Sequence, residues 1–434
     1  MNAIKHGVGP LLAVFLGLSF SARAERRRVP LREALQLAAR QGPDVVAARA
    51  QAAIAAASVR RAWTAWQPDL SANGTFDHTS APASIPAGAI GNPAPITIVG
   101  ENSTYATFQI SQPLLTPQGL FAPGVAYAGA EAAERGADES REQVLLGVAR
   151  AYLGLEGVEG LLDAARELEK VALRREQDAR AQIAAGTAVE IALLRAQTET
   201  AQARAQIAGL QGQKASLLPL LEALVGEAVE PLPAGTAQDL GAPSEESTQP
   251  WEEAFSVKSA VASALAAQRQ LRLSNFLWMP TVAGVAKENY NSNGGFANKN
   301  WTYDLILNVS VPLYDHGVRY AQQHEDDARL AQAQAQLAST RARARSNWIG
   351  ARANLTAAQA VLEQSRSQAA LAARTQSQVE ASARAGVATS LDLSDADQKR
   401  FAAASAAAQA GTDLEVRKAE VAAAEGRLYK LAAQ

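Results

Sequence analysis

Two kinds of hydrophobic pattern alternate along the chain, and the first consists of short segments in which apolar and polar residues alternate. In the clearest segment, apolar residues at odd positions oppose mainly polar residues, and only Ile306 breaks the pattern. The apolar set is Trp301, Tyr303, Leu305, Leu307, Val309 and Val311. Similar segments begin after Pro68, near Thr104 and, more weakly, after Pro280. Each is about 10 residues long, as expected for a tilted strand that crosses a bilayer.

The second pattern consists of helical stretches that are long for a globular domain. Residues 125–184 contain no proline, and a helix of that length would extend about 90 Å. Residues 318–384 have the same character, and each stretch ends at a glycine, Gly186 or Gly386. Two returning helices and two shorter helices are expected at residues 189–224, 391–431, 31–66 and 251–277. This arrangement predicts two helical hairpins with tight distal turns.

Both patterns occur twice in the same order. Trp66 and Pro68 before one strand correspond to Trp278 and Pro280 before another, and the two turn glycines lie 200 residues apart. A period this long indicates a duplicated half-domain rather than a short solenoid repeat. Each repeat is expected to hold a helix, two strands and a long helical hairpin. The predicted divisions are residues 25–225 for the first repeat, 226–250 for a linker and 251–434 for the second repeat.

The amino terminus has the features of an export signal. Lys5 precedes an apolar run at residues 8–20, and Ala22-Arg23-Ala24 forms a small-x-small cleavage site. We therefore expect residues 1–24 to be removed. The apolar run is shorter than the roughly 20 residues of a spanning helix, which argues against a retained anchor. No cysteine is present to accept a lipid, so no lipid anchor is expected.

The alternating segments fit either membrane strands or half-buried strands of a soluble sandwich. Their context favours the membrane, because they form only two hairpins separated by long helices. Aromatic side chains lie at or near the strand starts, where a membrane interface favours them. These are Trp66, Trp278, Trp301 and Tyr303. Four strands cannot close a barrel, and open sheet edges are not tolerated in lipid, so several copies must associate.

Composition and motifs argue against an enzyme or a nucleic-acid-binding protein. Hydrophobic residues make up 48% of the chain but aromatic residues only 5%, which favours long, closely packed helices over a thick core. The net charge of -2 predicts no partner among nucleic acids. There is no thiolate site, no HExxH spacing, no phosphate-binding glycine loop and no nucleophile elbow. No catalytic residue, cofactor or metal site is therefore expected, and His324 with the acids after it fits a solvated helix face.

Motifs of the mature chain resemble, in order and spacing, those of the TolC family of outer membrane efflux and secretion channels. The matching segments are Leu31-Arg32-Glu33-Ala34-Leu35 with Pro43, Trp66-Gln67-Pro68, the run Val309-Ser310-Val311-Pro312-Leu313-Tyr314-Asp315-His316-Gly317, Ala185-Gly186-Thr187 and Ala385-Gly386-Val387. Each segment alone is a weak signal. Their order and duplicated spacing make the resemblance specific.

The resemblance implies a mainly helical protein with a membrane β-barrel. It implies a homotrimer in which four strands per chain form a shared twelve-stranded barrel in outer membrane lipid, above a trimeric α-barrel tunnel in the periplasm. Such a channel is a passive exit docked to a periplasmic adaptor protein and an inner-membrane transporter. The adaptor-facing hairpin tips would be at Gly186, Thr187, Gly386 and Val387. The linker and the carboxy-terminal end would form a collar around the middle of the tunnel.

Two acidic residues follow the second tip. Asp392 and Asp395 match the family segment that carries aspartate rings at the closed periplasmic end. Their spacing places both on one helix face, where three copies would supply six carboxylates that attract cations. The same residues also fit a structural role, because Thr389 and Asp392 can form a capping box at the start of a helix. The first repeat has Ala192 and Arg195 at the corresponding positions, so the acidic pair is not duplicated.

A second class of protein fits many of the same features. A periplasmic coiled-coil protein of structural or adaptor type would also contain long helical hairpins without forming a pore. Adaptors usually carry one long hairpin joined to compact strand-rich domains, whereas this chain predicts two. Fractionation separates the classes, because a channel should stay with the outer membrane during carbonate extraction and a soluble coiled coil should be released.

Overall fold

The fold is given by a computed structural model that describes residues 26–89, 91, 95–187, 189–232, 248–294 and 299–433. The predicted signal peptide, residues 1–24, lies outside these residues. The elements of the first half are β1 (Arg27–Val29), α1 (Leu31–Gln41), α2 (Pro43–Trp63), β2 (Asp69–His78), β3 (Ala83–Ile85), β4 (Ile96–Val99), β5 (Asn102–Leu115), α3 (Pro117–Ala184), α4 (Glu190–Val225) and β6 (Val229–Pro231).

The second half repeats the order of helix, two strands and long helical hairpin. Its elements are α5 (Phe255–Asn275), β7 (Thr281–Asn291), β8 (Trp301–Ser310), α6 (Val318–Arg384), α7 (Ser390–Ala424) and α8 (Leu428–Ala433). The bounds of α6 are those expected from the sequence. Among the described residues, no helix combines the length and the apolar character needed to cross a membrane.

Four long strands form one antiparallel sheet with the order β2-β5-β7-β8. Strand β2 pairs with β5 from Asp69 opposite Ser111 to His78 opposite Asn102. The two hairpins are joined at the centre by β5 and β7, where Thr107 lies opposite Asn289. Strands β2 and β8 are therefore the two edges of the sheet. They run in opposite directions, because each neighbouring pair is antiparallel.

The sheet has one predominantly apolar face, to which all four strands contribute, although Val285 and Ile306 lie on the opposite face. Directly opposed residues of an antiparallel pair lie on the same face. The cross-strand rows on this face include Leu70-Ile110-Ala286-Leu305 and Ala72-Phe108-Glu288-Tyr303. These side chains are uncovered: Leu305 and Tyr303 are each 78% exposed. The opposite face carries Ser71, Gln109, Lys287 and Asp304 in one row.

The helices form a single layer in which two outer rods flank two inner ones. Near the sheet, contacts run in the order α2, α3, α5, α6. Towards the distal turns, α4 packs on α3, α3 packs on α7, and α7 packs on α6. Helix α2 also meets α4, so the shorter helices extend the lines of the returning helices while α3 and α6 run unbroken past both. Small side chains on the facing stripes, such as Ala128, Ala203 and Ala403, permit this close packing.

The largest core surrounds the middle of α3. Tyr152 is fully buried there, and its hydroxyl donates to the Val29 carbonyl at 2.9 Å and accepts from the Leu232 N–H at 3.2 Å. These bonds hold the short parallel pair β1-β6 against α3. Helix α8 packs on α1 and α3, and the two carboxylate oxygens of Glu142 accept the N–H groups of Leu428 and Tyr429 at 3.1 and 3.0 Å.

The structure corrects four sequence expectations about the elements. The first helix is not continuous over 31–66. It is interrupted at Gly42, the residue before Pro43, where α1 ends and α2 begins. A residue before proline avoids the helical region, and a Cβ at Gly42 would lie 2.6 Å from the Ala38 carbonyl oxygen. Helix α3 begins at Pro117 rather than 125, because Thr116 caps it by accepting the Gly119 N–H.

The remaining two corrections concern the last return and the first outer loop. The final return was expected to continue to residue 431, but α7 ends at Ala424 and Gly426 takes a positive φ of 63°. Close approach also restricts this turn, since a Cβ on Gly426 would lie 2.7 Å from the Glu253 carbonyl oxygen. Each repeat was expected to hold two strands, but the segment between β2 and β5 contains the further hairpin β3-β4.

Candidate channel surfaces

The two distal turns have the same backbone geometry. Gly186 and Gly386 have φ values of 74° and 76°, which favour glycine because it lacks a Cβ. The Thr187 N–H donates to the Gln182 carbonyl at 2.9 Å, and the Val387 N–H donates to the Ser382 carbonyl at 2.9 Å. These bonds close each long helix with a left-handed C-terminal cap. All four predicted tip residues therefore lie in matching turns at the distal ends of the two hairpins.

Apolar side chains are exposed around both turns. Val387 is 81% exposed and Val189 is 68% exposed. Leu391 and Ile191 are also exposed in the first turns of α7 and α4. Exposed apolar side chains that cluster at one site are typical of a binding surface. The tips thus present apolar contact area together with a fixed backbone shape.

Asp392 forms a capping box with Thr389, as its spacing in the sequence allows. The Thr389 N–H and hydroxyl both donate to one Asp392 carboxylate oxygen, at 2.9 and 2.7 Å, while the Asp392 N–H donates to the Thr389 hydroxyl at 3.2 Å. The Thr389 side-chain and backbone hydrogen bonds lower the pKa of Asp392 below its usual value. Asp395 lies one turn further along α7 and pairs with Lys399 at 2.6 Å. The cap explains Asp392 locally, and it leaves the carboxylate charged and exposed.

A polar network that the sequence did not suggest joins the two hairpins just above the tips. Arg175 on α3 pairs with Asp397 on α7 and lies 3.4 Å from Glu199 on α4. Ser394 on α7 donates to Glu199. Asp397 is only 7% exposed, and a partly buried pair of this kind holds its partners in one geometry. The network therefore fixes α7 against the α3-α4 hairpin.

Each hairpin also has an internal polar bond at equivalent positions. The Thr200 hydroxyl donates to Glu176 at 3.2 Å in the first hairpin, and Arg400 donates to the Gln376 side chain at 3.4 Å in the second. Within each pair the two residues are 24 positions apart in sequence, and each residue lies 200 positions from its counterpart in the other pair. The duplicated spacing of the sequence thus corresponds to duplicated packing.

The four predicted interface aromatics lie at two opposite ends of the sheet. At the helix end, Trp66 donates from Nε1 to the Gly119 carbonyl at 2.6 Å. Trp278 packs edge-on against Tyr320, with 5.1 Å between the ring centroids. The Arg319 guanidinium lies 4.9 Å from the centre of the Trp278 ring. At the other end, Trp301 contacts Tyr290 at 4.9 Å, and Tyr303 is exposed. Two of the four therefore also anchor the strands to the helices.

No group of acidic, histidine or cysteine side chains arranged to hold a metal occurs within the described ranges. Buried carboxylates have hydrogen-bonding partners instead. Asp326 accepts bonds from Ser274 and from Gln270 and Gln322 at 3.2 Å, and it pairs with Arg329 at 3.0 Å. These hydrogen bonds lower the pKa of Asp326 against the opposing effect of desolvation. The cluster ties α5 to α6, and it has the character of a structural contact.

Comparison with known proteins decides the family. The model of the outer membrane efflux protein family matches residues 34–227 and 250–427. The chain belongs to this family. The efflux protein's resemblance to TolC-type channels is thereby confirmed, and its match runs through both repeats and both distal turns. A comparison with curated protein sequences finds no match.

Solved outer membrane channels share the fold of this efflux protein. VceC of Vibrio cholerae is 18% identical, with a TM-score of 0.75, and the match covers 91% of this chain and 96% of VceC. The channel CusC is 17% identical, with a TM-score of 0.78 and coverage of 92% and 93%. The open-state channel MtrE of Neisseria gonorrhoeae is 18% identical, with a TM-score of 0.75 and coverage of 91% and 88%. The predicted fold class is confirmed by these matches.

Proposed function

We propose that three copies of this efflux protein assemble into a passive outer membrane channel. The channel serves a tripartite efflux or type I secretion system, in which a periplasmic adaptor and an inner-membrane transporter deliver the cargo. Membership of the efflux family supports the channel role. The matched structures are outer membrane channels, which supports the location. Export by a cleaved signal at residues 1–24, without a lipid anchor, belongs to the same proposal.

The observation that carries the proposal is the isolated four-stranded sheet. Its apolar face has no covering layer among the described residues, and its edge strands β2 and β8 pair with nothing on their outer sides. Lipid would cover the apolar face, and neighbouring copies would satisfy the edges. Because β2 and β8 run in opposite directions, β8 of one copy can continue the antiparallel pattern with β2 of the next. Three copies would close a barrel of twelve strands.

The aromatic residues at both ends of the sheet fit the two surfaces of a bilayer. Trp66 and Trp278 would lie at the periplasmic interface, and Trp301 and Tyr303 at the outer one, where amphipathic rings are favoured. Strand β8 spans 10 residues between these levels. That length is enough to cross the apolar layer at the tilt of a barrel strand.

The adaptor would bind at the hairpin tips. Gly186, Thr187, Gly386 and Val387 form two matching turns, and exposed apolar side chains beside them supply contact area. Asp392 and Asp395 lie immediately after the second turn, where three copies would surround the distal opening with six carboxylates. Such a ring favours cations and repels anions. Lys399 would offset part of the charge through its pair with Asp395.

Two measurements on the purified protein test the channel. In mild detergent, the native mass should be that of three chains, and reconstitution into planar bilayers should produce steps of conductance. Membranes from producing cells should retain the protein after carbonate extraction. A monomer that is released by carbonate and produces no conductance would instead indicate the periplasmic coiled-coil protein. A matched control is the same protein heated to dissociate it before reconstitution, which should produce no conductance.

A further inference from the structure

The two outer rods of the helical layer carry opposite charges at matching heights. Helix α2 has Arg60 and Arg61 in its last turn, whereas the third turn of α6 carries Glu325 and Asp327. Within the described ranges, neither arginine forms an ion pair, and neither does Asp327. Glu325 pairs with Arg329 of its own helix at 2.5 Å. All four residues are exposed. The two rods are the first and last helices of the layer, so their exposed charges border its free edges. Glu325 and Asp327 lie on opposite flanks of the buried Asp326, one on each face of the layer.

Contacts within one chain show that these charges lie at the same height along the helix axes. Trp66 bonds to Gly119 at the start of α3, and Phe121 of α3 stacks on Phe276 with ring centroids 4.4 Å apart. Phe276 is two residues from Trp278, which packs on Tyr320. Trp66 and Tyr320 therefore mark one height, close to the helix end of the sheet.

Distances along the helices follow from this common height. Arg61 and Arg60 precede Trp66 by five and six residues, and Glu325 and Asp327 follow Tyr320 by five and seven. At 1.5 Å per residue, all four lie about 8–10 Å below the marker. In a ring of copies around one axis, α6 of one copy lies beside α2 of the next at unchanged height. The arginines then face the carboxylates across the subunit boundary.

Opposite charges also lie at equal heights at the lower end of the same boundary, but there the acidic residue is on α2 and the basic residue is on α6. Asp44 begins α2 and lies 22 residues before Trp66, while Arg343 of α6 lies 23 residues after Tyr320. Both are about 33–35 Å below the marker. Neither forms an ion pair among the residues that the structure describes. Between the two charged ends, α2 exposes apolar Val46 and Ile54, which a neighbouring helix would cover.

We propose that α6 of one copy binds α2 of the next copy through two ionic clamps. Glu325 and Asp327 pair with the neighbour's Arg60 and Arg61 below the sheet, and Arg343 pairs with the neighbour's Asp44 one α2 length lower. The occupant of each free helix face is thus a second copy of this chain. This inference rests on the proposed ring of copies. The reversed order of charges also opposes a shifted register, because a slip along the axis would bring like charges together.

Cysteine cross-linking of the full-length protein tests the clamp, because the natural chain contains no cysteine. The variant with Arg60→Cys and Asp327→Cys should form covalent dimers and closed trimers when treated with a short bismaleimide. The matched control combines Arg60→Cys with Ala335→Cys, which is also exposed on α6 but lies eight residues, or about 12 Å, lower. We expect at least tenfold less cross-linked product from the control. Equal or stronger cross-linking of the control, or none in either variant, overturns the clamp.

A charge swap tests the sign of the interaction independently. Arg60→Glu should speed dissociation of the trimer in detergent by roughly twofold to fivefold per boundary, as expected for exposed ion pairs. Adding Asp327→Arg should restore the wild-type rate, whereas adding Asp163→Arg, an exposed acid on α3, should not. Absence of rescue contradicts the pairing. A wild-type protein that is monomeric would overturn the proposed channel itself, whereas a trimer that lacks the cross-link and the rescue overturns only this boundary.

Discussion

Glu142 is a carboxylate whose protonation is coupled to the docking of α8. Burial raises the pKa of Glu142 to about 7, and the bonds from Tyr429 and Leu428 and the charge of Arg141 oppose that rise only in part. The Arg141 guanidinium also lies 3.8 Å from the centre of the Tyr429 ring. Protonation of this side chain of α3 is therefore coupled to its contact with the carboxy-terminal helix.

The raised pKa predicts a pH dependence of stability with a definite sign. Below pH 4.5 the side chain is protonated in both states, whereas between 4.5 and about 7 the folded chain keeps a proton that the unfolded chain releases. Stability should therefore fall as pH rises through this window, by up to about 3 kcal/mol. Thermal unfolding should show the fall in the wild type and a smaller fall in Glu142→Gln. Glu134→Gln, on an exposed position of α3, is the control and should retain the full dependence.

Substitutions of Asp392 and Asp395 differ in how directly they test the proposed pore role. Asp392 is part of the helix cap, so its removal changes both charge and local structure. Asp395 has no part in the cap and pairs with Lys399 one turn further along the helix. The capping box could be predicted from the sequence because it depends on a local spacing of three residues. Whether the carboxylates face a lumen depends on the other copies, which the sequence of one chain does not place.

The pore role predicts a change in ion selectivity from a single substitution. Asp395→Asn should lower the preference for cations measured by reversal potential in planar bilayers, because it removes three carboxylates per trimer. Lys399→Gln should raise that preference, because it exposes the full charge of Asp395. The double substitution Asp392→Ala with Asp395→Ala should have the largest effect on selectivity and on block by cations. Unchanged selectivity in all three variants would return both acids to a structural role.

At the scale of elements, the distal turns depend on glycine. A left-handed conformation costs an L residue with a Cβ about 1–2 kcal/mol. Gly386→Ala should destabilise the protein by this amount, measured by thermal unfolding, with faster hydrogen exchange around residues 382–390. Gly209→Ala in the interior of α4 is the control, since a Cβ there meets nothing within 4 Å. That substitution should stabilise the helix by up to about 1 kcal/mol, so a loss of stability in both variants would contradict the assignment.

The elements were predictable wherever their signals are local. Glycine turns, proline-free helices and alternating strands all depend on neighbouring residues, and α6 and β8 were located closely. The network of Arg175, Asp397 and Glu199 was not predictable, because Arg175 and Asp397 are far apart in sequence and become neighbours only when α3 packs on α7. The break at Gly42 was missed because the hydrophobic pattern continues through it.

At the scale of the whole molecule, the two hairpins form one sheet through a pairing that no local pattern encodes. Thr107 of β5 donates to Asn289 of β7 at 3.2 Å, across 182 residues of sequence. The alternation predicts which residues share a face within a strand, but it does not predict which strands become neighbours. The pairing of β5 with β7 decides that β2 and β8 are the open edges.

The exposed apolar face of the sheet predicts how a charged substitution in a strand affects membrane insertion of the protein. Leu307 lies on that face and its neighbour Asn308 on the other. Leu307→Arg should weaken membrane insertion, because an arginine facing lipid near the bilayer midplane costs about 2–4 kcal/mol per copy. Asn308→Arg is the control and should insert normally. The fraction of protein that resists carbonate extraction from membranes measures the difference, and equal retention of both variants would argue against a lipid-facing surface.

The near equality of the two unbroken rods has a mechanical consequence. Helix α3 contains 68 residues and α6 contains 67, so each extends about 100 Å from the sheet to its turn. In the proposed channel, their common length would set how far below the bilayer the adaptor binds. Evolution could lengthen or shorten this reach only by matched insertions or deletions in both rods and in the helices that return beside them.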